Sequence, residues 1–416
     1  MPGSDTKTLS GVVWILKSDP IMRKKSLIYG LLLGLAALLS CQNDQAPTQG
    51  TPNNTGGESA SLPPPESDFE ASLLRWGYLN QSGELVIPAQ FDDGRPFTEG
   101  LAAVRVKGRW GFIDKKGDYA IPLEFQGAWP FSEGLARVLD YNNKMGFLNR
   151  KGEWVIQPEY EDVQDFSNGL ARARIGERFG YINRQGQLAI PARFDQASSF
   201  EQGMASVKID GNYGLIDTTG AFLIAARYQK VSPFQQGLAR VKLKRKFGFI
   251  DKSGKMDIPN QFDNASDFQM GRAPVKQDGL YGLIDVKGVF IVPPKYNQLW
   301  YAGESLWAAE KEGRYGYIDA QGQEIIPLEF EQIYSFENGY APYRIGQLWG
   351  YLAADGALLT QPEFGLAWAF REGLARVATR RGIAFINTKG EIAISPHYSD
   401  MRDFSEGLAL VQAGGR

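Results

Sequence analysis

The sequence predicts an all-β fold, built as a tandem array of about ten three-stranded antiparallel β units. The motif Trp-Gly-Phe-Ile-Asp-Lys-Lys-Gly at residues 110–117 recurs every 34 residues, apart from one step of 35. A fixed period of this size is typical of repeat architectures. Each period contains short apolar runs separated by turn residues, with no helical pattern longer than one turn. Aligned copies begin at Trp76, Trp110, Met145, Phe179, Tyr213, Phe247, Tyr281, Tyr315, Trp349 and Ile383.

Each unit opens with a strand that is apolar on both faces. If the first residue of the motif is position zero, position one is Gly in nine units, with Ala384 as the exception. Position two is aromatic or Leu, and position three is Leu or Ile, in every unit. Because strand side chains alternate between faces, a strand with this pattern is covered on both sides. Gly at position one lets a neighbouring backbone approach closely.

The motif closes with a tight turn. Position four is Asp or Asn in nine units, with Ala353 as the exception. Asp-x-x-Gly predicts a type I turn completed by a left-handed glycine, with the Asp side chain capping the turn. Calcium binding is the alternative, but this spacing does not supply the oxygen ligands that calcium loops collect. Position seven is Gly in all ten units: Gly83, Gly117, Gly152, Gly186, Gly220, Gly254, Gly288, Gly322, Gly356 and Gly390.

Two further strands complete each unit. The second, for example Tyr119-Ala120-Ile121-Pro122, leads to an aromatic residue that every unit contains. A proline precedes that aromatic in nine units, and since proline lacks a ladder donor it predicts an edge or a bend. A connector then leads to Phe-x-x-Gly, as in residues 131–134, and to a third strand such as Leu135-Ala136-Arg137-Val138.

These motifs together resemble the bacterial WG-repeat proteins, also called KWG repeats, and the resemblance covers residues 76–416. It implies a secreted or surface β-repeat protein that mediates interactions, with no family catalytic residues to assign. The departures from the pattern are Met145, Ile383-Ala384, Ala225 in place of the proline, and the stretch Leu299–Trp307.

The two ends of the array leave the question of closure open. The first unit starts directly at Trp76, and the last copy ends after Leu408-Ala409-Leu410-Val411 with no following Trp-Gly. Pairing these two strands would complete a ring, as in a β-propeller. An open β-superhelix is the alternative, although solenoids usually carry terminal caps that are not evident here.

The N-terminal region has the features of a targeting segment. A basic start at Met22-Arg23-Lys24-Lys25 precedes an apolar run, Leu27–Leu39, which is too short to span a bilayer. Leu38-Leu39-Ser40-Cys41 resembles the bacterial lipobox, whose cysteine is lipidated; an ordinary signal peptide is the alternative. Met1–Ile21 fit no targeting pattern, so we expect translation to begin at Met22.

We therefore expect three regions: a signal peptide at 1–40, a lipidated Cys41 with a disordered tether at 41–75, and the repeat array at 76–416. The tether is rich in Pro, Gly, Ser, Thr, Asn and Gln and cannot bury enough apolar surface to fold. The expected location is the outer membrane of a Gram-negative bacterium, with the array facing the periplasm or the surface and anchored to the membrane through Cys41.

Composition argues against several function classes. Lys plus Arg is 45 and Asp plus Glu is 47, so the chain lacks the basic excess of a nucleic-acid-binding protein. A single cysteine, Cys41, and a single histidine, His397, provide no disulfide framework and no usual zinc site. We expect no cofactor, no metal and no enzymatic activity; a hydrolase using turn carboxylates is a remote alternative.

A binding or scaffold surface for a protein partner is the favoured function, with a glycan of the cell envelope as the alternative. Aromatic side chains near Phe-x-x-Gly suit either ligand, or they pack between units. The stretch Leu299–Trp307 alone loses Phe-x-x-Gly and gains three aromatics, so we expect it to be the least regular connector and to expose at least one of them. The candidate binding residues are Trp300, Tyr301, Trp307, Trp129, Tyr334 and Trp368.

Overall fold

The computed structural model describes residues 74–414, which form a ten-bladed β-propeller. Nine blades are four-stranded antiparallel sheets and one, blade 3, has three strands. The structure thus adds a fourth strand to the three that the sequence predicts, because the connector before Phe-x-x-Gly pairs with the strand that follows it. The predictions for the signal peptide, for Cys41 and for most of the tether concern residues outside this range.

The blades are numbered along the chain, and blade 10 is assembled from both ends. The strands of blades 1 to 5 are Asp93–Gly94, Ala102–Val106, Arg109–Ile113, Tyr119–Phe125; Gly127–Ser132, Leu135–Leu139, Met145–Asn149, Trp154–Tyr160; Ala171–Ile175, Arg178–Ile182, Leu188–Phe194; Gln196–Ala197, Met204–Ile209, Asn212–Asp217, Phe222–Tyr228; and Lys230–Val231, Ala239–Leu243, Lys246–Ile250, Met256–Phe262. Those of blades 6 to 10 are Asn264–Ala265, Ala273–Gln277, Leu280–Ile284, Phe290–Tyr296; Gln298–Gly303, Leu306–Lys311, Arg314–Ile318, Glu324–Phe330; Gln332–Ile333, Tyr340–Ile345, Leu348–Ala353, Leu358–Phe364; Leu366–Ala367, Leu374–Thr379, Gly382–Asn387, Ile392–Ile394; and Asp400–Ser405, Leu408–Gly414, Leu74–Asn80, Leu85–Phe91.

Antiparallel order gives the ring two faces. The turns between the first and second strands and between the third and fourth strands lie on one face, here called the upper face. The turns between the second and third strands, here called middle turns, lie on the lower face with the connections between blades. The described chain begins at Leu74 on the lower face, because the third strand of blade 10 starts there.

Blade 10 closes the ring. Its third strand, from the start of the described chain, pairs with its second strand, from the end, through seven residue pairs that run from Leu74–Gly414 to Asn80–Leu408. The pairing that the sequence suggested between the two end strands is therefore confirmed, and the open superhelix is excluded.

The turn that ends in glycine at position seven is confirmed in every blade. All ten position-seven glycines have positive φ, between 78° and 89°. In blade 1 the Asp114 carboxylate accepts hydrogen bonds from the N–H groups of Lys116 and Asp118, at 2.9 and 3.0 Å. The Asp side chain thus caps the turn, as the sequence predicts.

Gly at position one is required by close contact with the fourth strand. A Cβ on Gly77 would lie 2.6 Å from the carbonyl oxygen of Ile87. The pairing register of the third and fourth strands shifts beside this contact, because Trp76 pairs with Phe91 while Tyr78 pairs with Ile87. The fourth strand therefore bends at its proline, as the sequence predicts for an edge strand.

Hydrogen bonds between upper-face turns join neighbouring blades. The Glu99 carboxylate of blade 1 accepts from the Gly134 N–H of blade 2 at 2.9 Å. The same bond links blade 10 to blade 1, where Glu406 accepts from Gly100 at 2.9 Å, and Lys115 adds an ion pair at 3.2 Å. Burial alone would raise the pKa of Glu406, but the bonds from Lys115 and Gly100 hold it below the usual range. The contact between blades 10 and 1, which closes the ring, is therefore of the same kind as the contact between blades 1 and 2.

Arginines on second strands form a second type of link, which we call the arginine clasp. Arg137 is buried and donates to the Val163 carbonyl of the next blade at 2.6 Å, with an ion pair to Asp165 at 3.1 Å. Arg376 repeats both contacts, to the Met401 carbonyl at 2.8 Å and to Asp403 at 2.5 Å. Burial lowers the pKa of Arg137 and the Asp165 carboxylate opposes that shift.

Blade 7 shows how the chain replaces a lost Phe-x-x-Gly. Trp307 pairs with Ile318, which is the register that Ala239 and Ile250 have in blade 5. Trp307 thus occupies the usual alanine position, whereas Ala302 occupies the usual phenylalanine position, and both are 0% exposed. The large and the small side chain have exchanged places, so the hydrophobic volume is kept.

This exchange corrects two expectations about residues 299–307. The stretch is not the least regular connector, because Gln298–Gly303 forms a six-residue first strand where most blades have two residues. The second expectation was that the stretch would expose at least one of its three aromatics. Trp307 is instead a core residue with no surface to offer a ligand. Trp300 and Tyr301 are half-buried, so none of the three is fully exposed.

Candidate binding groove between blades 7 and 8

Two of the aromatic candidates meet in one groove. The groove runs along the first strands of blades 7 and 8 and encloses about 470 Å³. Its lining residues are Gln298, Trp300, Tyr315, Glu331, Gln332, Ile333, Tyr334, Ser335 and Arg344. Aromatic surface beside a few polar groups is typical of binding sites for organic ligands and peptides.

The blade 7 wall is set by the long first strand of that blade. Trp300 pairs with Ala308 across the sheet, and this register holds its ring edge-on to Tyr315 with centroids 6.3 Å apart. Gln298 donates to the Tyr315 hydroxyl at 3.0 Å. The indole of Trp300 is therefore supported on one side and open to the groove on the other.

The blade 8 wall carries the most exposed aromatic of the groove. Tyr334 is 47% exposed, and its ring lies nearly parallel to Trp349 at a centroid distance of 5.2 Å and an angle of 14°. The buried hydroxyl of Tyr317 donates to the Tyr334 carbonyl at 2.7 Å. Burial raises the pKa of the Tyr317 phenol far above its ordinary value, so it remains a donor even in alkaline solution. Tyr334 is thus a flat platform fixed from below.

Charges lie at one end of the groove. The Glu331 carboxylate lies between Arg314 and Arg344, at 3.8 and 3.7 Å. The Arg344 guanidinium also lies over the Trp349 ring at 5.9 Å. Its Nε is buried and has no hydrogen-bond partner among residues 74–414. Arg344 Nη1 donates to the Gly346 carbonyl at 2.8 Å, so protein groups hold the guanidinium in place at this end of the groove.

The other candidates lie elsewhere. Trp129 and Trp368 each cover an arginine clasp, with the guanidinium carbons of Arg137 and Arg376 at 4.3 and 4.7 Å from their rings. Both indoles are half-buried and pack where two blades meet. Tyr301 packs edge-on against Trp307 at 5.3 Å. None of these residues lines the groove.

Sequence reasoning missed Tyr315, Glu331 and Arg344. Tyr315 is the position-zero aromatic of its repeat, a position occupied in every unit, so nothing in its type distinguished it. Arg344 lies opposite position zero across the second and third strands, since it pairs with Trp349. In several blades a Lys or Arg likewise pairs with the position-zero aromatic. This pattern is present in the sequence, but it can be recognised only once the strand register is known.

A larger cavity of about 880 Å³ lies near the closure of the ring. Its arginines are engaged with protein groups, as Arg344 of the groove is: Arg371 with Glu337, Arg376 with Asp403, Arg402 with Asp400, and Arg95 with the Ala128 carbonyl. It lacks an exposed aromatic platform of the kind that Tyr334 forms. The groove between blades 7 and 8 is the stronger candidate for ligand binding.

Within residues 74–414, no cluster of three or more His, Cys, Asp or Glu side chains is placed to hold a metal ion. No helix in that part of the chain has the length and apolar character needed to cross a membrane.

Comparison with known proteins identifies the repeat. The family model described as "WG containing repeat" matches ten times, at residues 76–110, 110–144, 145–178, 179–213, 213–247, 247–281, 281–314, 315–349, 349–379 and 384–416. No curated protein matches the chain.

The solved structures that match the chain share little sequence with it. A eukaryotic initiation factor is 11% identical over 68% of this chain and 94% of its own, with a TM-score of 0.42. The computationally designed protein Ika8 is 13% identical over 64% and 96%, with a TM-score of 0.33. BamB from Moraxella catarrhalis is 12% identical over 68% and 96%, with a TM-score of 0.32.

Proposed function

The chain belongs to the WG-repeat family, and on this basis we propose that it is a non-catalytic binding protein whose groove between blades 7 and 8 takes a protein partner. One observation carries the proposal: Tyr334 is exposed, stacked and backbone-anchored, and it faces a groove that also holds Trp300 and Arg344. Tyr, Trp and Arg are the residue types that dominate binding energy at protein interfaces. The closed ring supplies a rigid support for them.

The partner segment that fits this groove has an apolar or aromatic side chain for the space between Trp300 and Tyr334. A carbonyl or carboxylate oxygen of the partner would meet the guanidinium of Arg344 at the charged end of the groove. Such an arrangement places a large contact at the centre and a polar contact at its margin, which is the usual anatomy of a protein interface.

A glycan of the cell envelope is the second candidate. The observation in its favour is the flat Tyr334 ring with two amide side chains beside it, since Gln332 bonds to the Tyr334 hydroxyl at 3.2 Å and Gln298 to Tyr315. Aromatic faces and amides are common partners of sugar rings and hydroxyls.

The test compares two exposed tyrosines. Tyr334→Ala should lower partner recovery from an envelope extract by about 30-fold or more, because truncating an anchoring aromatic typically costs 2 kcal/mol or more. Tyr119→Ala is the matched control, since Tyr119 is similarly exposed on the fourth strand of blade 1. Unchanged recovery with the Tyr334 variant, at unchanged melting temperature, contradicts the proposal. Binding to a glycan array that is lost with the same variant would favour the second candidate.

We also propose that the protein is an outer-membrane lipoprotein of a Gram-negative bacterium, anchored through Cys41. The lipobox-like Leu38-Leu39-Ser40-Cys41 supports this, and more than one acyl chain gives stable anchoring where a single chain gives only marginal binding. Cys41→Ala should abolish palmitate labelling and release the protein from the membrane fraction. Unchanged labelling of that variant would disprove the anchor.

A further inference from the structure

The fourth strand of blade 4 lacks the proline that the other nine blades have within or just after this strand. The fourth strand is the last strand of each sheet, so the side that faces away from the third strand, here called the free edge, has no partner strand among residues 74–414. Proline at a free edge removes a backbone donor, and it is one of the devices by which proteins keep other strands from pairing there. Blade 4 has given up this protection.

The missing proline provides the free edge of blade 4 with a backbone donor. Six blades have proline at the position of Ala225 itself, and three have it one residue later, at the position of Ala226. Because proline has no N–H, pairing with the third strand requires no donor at the position of Ala225. Ala225 has an N–H and is exposed, so this donor is available to a strand outside the sheet. The six prolines are Pro88, Pro122, Pro191, Pro259, Pro293 and Pro327.

The same strand is apolar and uncharged where it is exposed. Residues 221–226 read Ala-Phe-Leu-Ile-Ala-Ala, a run with neither a charge nor a proline. Phe222 is 40% exposed and Leu223 is 42% exposed. The Phe222 ring lies edge-on to Phe194 of blade 3, with centroids 6.5 Å apart, so it is supported from one side. An edge with this composition pairs readily with another extended chain.

A cavity of about 500 Å³ adjoins this strand at the upper face, between blades 4 and 5. Leu223, Met204 and Phe234 form its apolar part, and the turn residues Gln202 and Gly237 also line it. The hydrogen bond between upper-face turns that joins blades 1 and 2, and blades 5 and 6, is not formed here between Gln202 and Gly237. The junction therefore leaves an apolar recess directly beside the free edge.

We propose that the fourth strand of blade 4 binds an extended peptide segment of a protein partner. The segment pairs with the free edge as a fifth strand and places an apolar side chain in the cavity beside Leu223. Strand addition derives affinity from main-chain hydrogen bonds and specificity from pockets for alternate side chains, and blade 4 offers both. At about 3.3 Å per residue, the strand Phe222–Tyr228 presents an edge about 23 Å long. This site is separate from the groove between blades 7 and 8, and the proposal does not rest on that groove.

The experiment selects peptides on the full chain and then determines where they bind. Random twelve-residue peptides displayed on phage are selected against the wild-type protein, and the enriched peptides are synthesised with a fluorescent label. We expect peptides with alternating apolar residues, whose binding is measured by fluorescence anisotropy and protects the Ala225 amide from hydrogen exchange. Methylation of alternate backbone nitrogens in such a peptide should abolish its binding, because the methylated residues lack the ladder donor.

Ala225→Pro is the deciding variant. It gives blade 4 the residue that six other blades have at this position, so the melting temperature should be unchanged. The affinity for the peptide should fall about tenfold, because a hydrogen bond is lost and the proline ring obstructs the incoming strand.

Leu223→Gln tests the contribution of the cavity and has a matched control. It should lower the affinity for the peptide about tenfold, because an apolar contact in the cavity is lost. Ile325 has the same place on the fourth strand of blade 7 and is 39% exposed, but Pro327 follows it at the free edge. Ile325→Gln should therefore leave peptide binding unchanged.

Peptides that bind Ala225→Pro as tightly as the wild type would overturn the proposal, and so would a selection that enriches no peptide. Peptides whose binding is lost with Tyr334→Ala but kept with Ala225→Pro would belong to the groove between blades 7 and 8. They would support the function proposed for that groove and overturn this one. A dimer in sedimentation velocity that Ala225→Pro dissociates would assign the free edge to a second copy of the chain, which also overturns the proposal.

Discussion

Blades 5 and 7 are built from the same repeat and depart from it in opposite ways. Blade 5 keeps the regular core, with Phe234 and Ala239 in their usual places, and differs on its surface at Arg245, which has a φ of 67° where four other blades have Gly. Blade 7 keeps a glycine in its middle turn, and departs in its core, where Ala302 and Trp307 have exchanged sizes. A core position can change only if a neighbour compensates its volume, because interiors are close-packed. An exposed turn can carry strain alone.

The second-strand residue opposite the position-zero aromatic carries opposite charges in the two blades. Lys242 of blade 5 lies opposite Phe247, with its ammonium 5.1 Å from the ring centroid. Glu310 of blade 7 lies opposite Tyr315 in the same register, and it is buried. Its carboxylate accepts a hydrogen bond from the Gly313 N–H of its own middle turn at 2.7 Å. The buried charge of blade 7 is thus hydrogen-bonded within its blade, whereas the half-buried cation of blade 5 lies over an aromatic ring.

The largest effect should come from Trp307→Ala in blade 7. The loss of a buried indole leaves a cavity, and we expect the free energy of unfolding to fall by about 3–5 kcal/mol. The second variant is the double exchange Trp307→Ala with Ala302→Phe, which restores the core pattern of blade 5. Thermal or denaturant unfolding should show that the double variant is more stable than Trp307→Ala alone. A double variant that is less stable would mean that the two positions do not share one space.

The next effect compares the upper-face turns of the two blades. Gly254 and Gly322 both have positive φ, so alanine should cost roughly 1–3 kcal/mol at either position. A Cβ on Gly322 would also lie 2.7 Å from a methyl group of Val292, whereas one on Gly254 meets its nearest atom at 3.5 Å. Gly322→Ala should therefore be the more destabilising of the two in denaturant unfolding. The reverse order would contradict the packing of blade 7 on blade 6.

An effect of similar size concerns the arginine clasp, which blade 5 has and blade 7 lacks. Arg240 donates to the Ala265 carbonyl and forms an ion pair with Asp267 at 3.1 Å, whereas blade 7 has Ala308 at that position. Arg240→Ala should lower the free energy of unfolding by about 1–3 kcal/mol, because a partly buried carbonyl loses its donor. Lys244→Ala is the control and should change stability little, since its side chain has no described partner.

The smallest effect at neutral pH should come from Tyr317→Phe, which gives blade 7 the phenyl ring that blade 5 has at Phe249. The lost hydrogen bond to the Tyr334 carbonyl should cost about 0.5–1.5 kcal/mol. Because burial raises the Tyr317 pKa above its ordinary value of 10.0, the stabilisation is full below about pH 10 and is lost as the pH rises further. The wild-type protein should therefore lose stability above pH 10 more steeply than Tyr317→Phe. Parallel pH profiles of urea unfolding would contradict this.

The repeat, its turns and the pairing of its end strands could be predicted because they depend on local spacing. Asp114 and Gly117 define a turn within four residues. The first and last strands of the array each lack a partner in the sequence pattern, which suggests that they pair with each other. The short first strands could not be predicted, since two residues such as Asp93–Gly94 are too few to show a periodicity. The exchange between Ala302 and Trp307 was missed because the sequence shows a lost phenylalanine without showing that a hairpin brings the replacement into its space.

The groove was predictable in part for the same reason. Trp300 and Tyr334 differ from their counterparts in other repeats, so residue type alone singled them out. Their junction with Arg344 depends on the packing of blade 8 against blade 7, which no spacing within one repeat encodes. Trp129 and Trp368 have the same sequence signal, but a neighbouring arginine in each blade turns them into parts of a clasp.

The assembly of blade 10 from both ends of the described chain has a consequence for the order of folding during synthesis. Blades 1 to 9 consist of consecutive residues, and each can form as soon as its own segment and its neighbour are available. The strand Leu74–Asn80 must wait, with one edge unpaired, until Leu408–Gly414 has been made. A contact between such distant residues forms slowly, because the intervening chain must be ordered first. A chain that is released before Leu408–Gly414 has been made therefore forms an incomplete set of blades with unpaired strand edges at its ends, rather than a smaller closed ring.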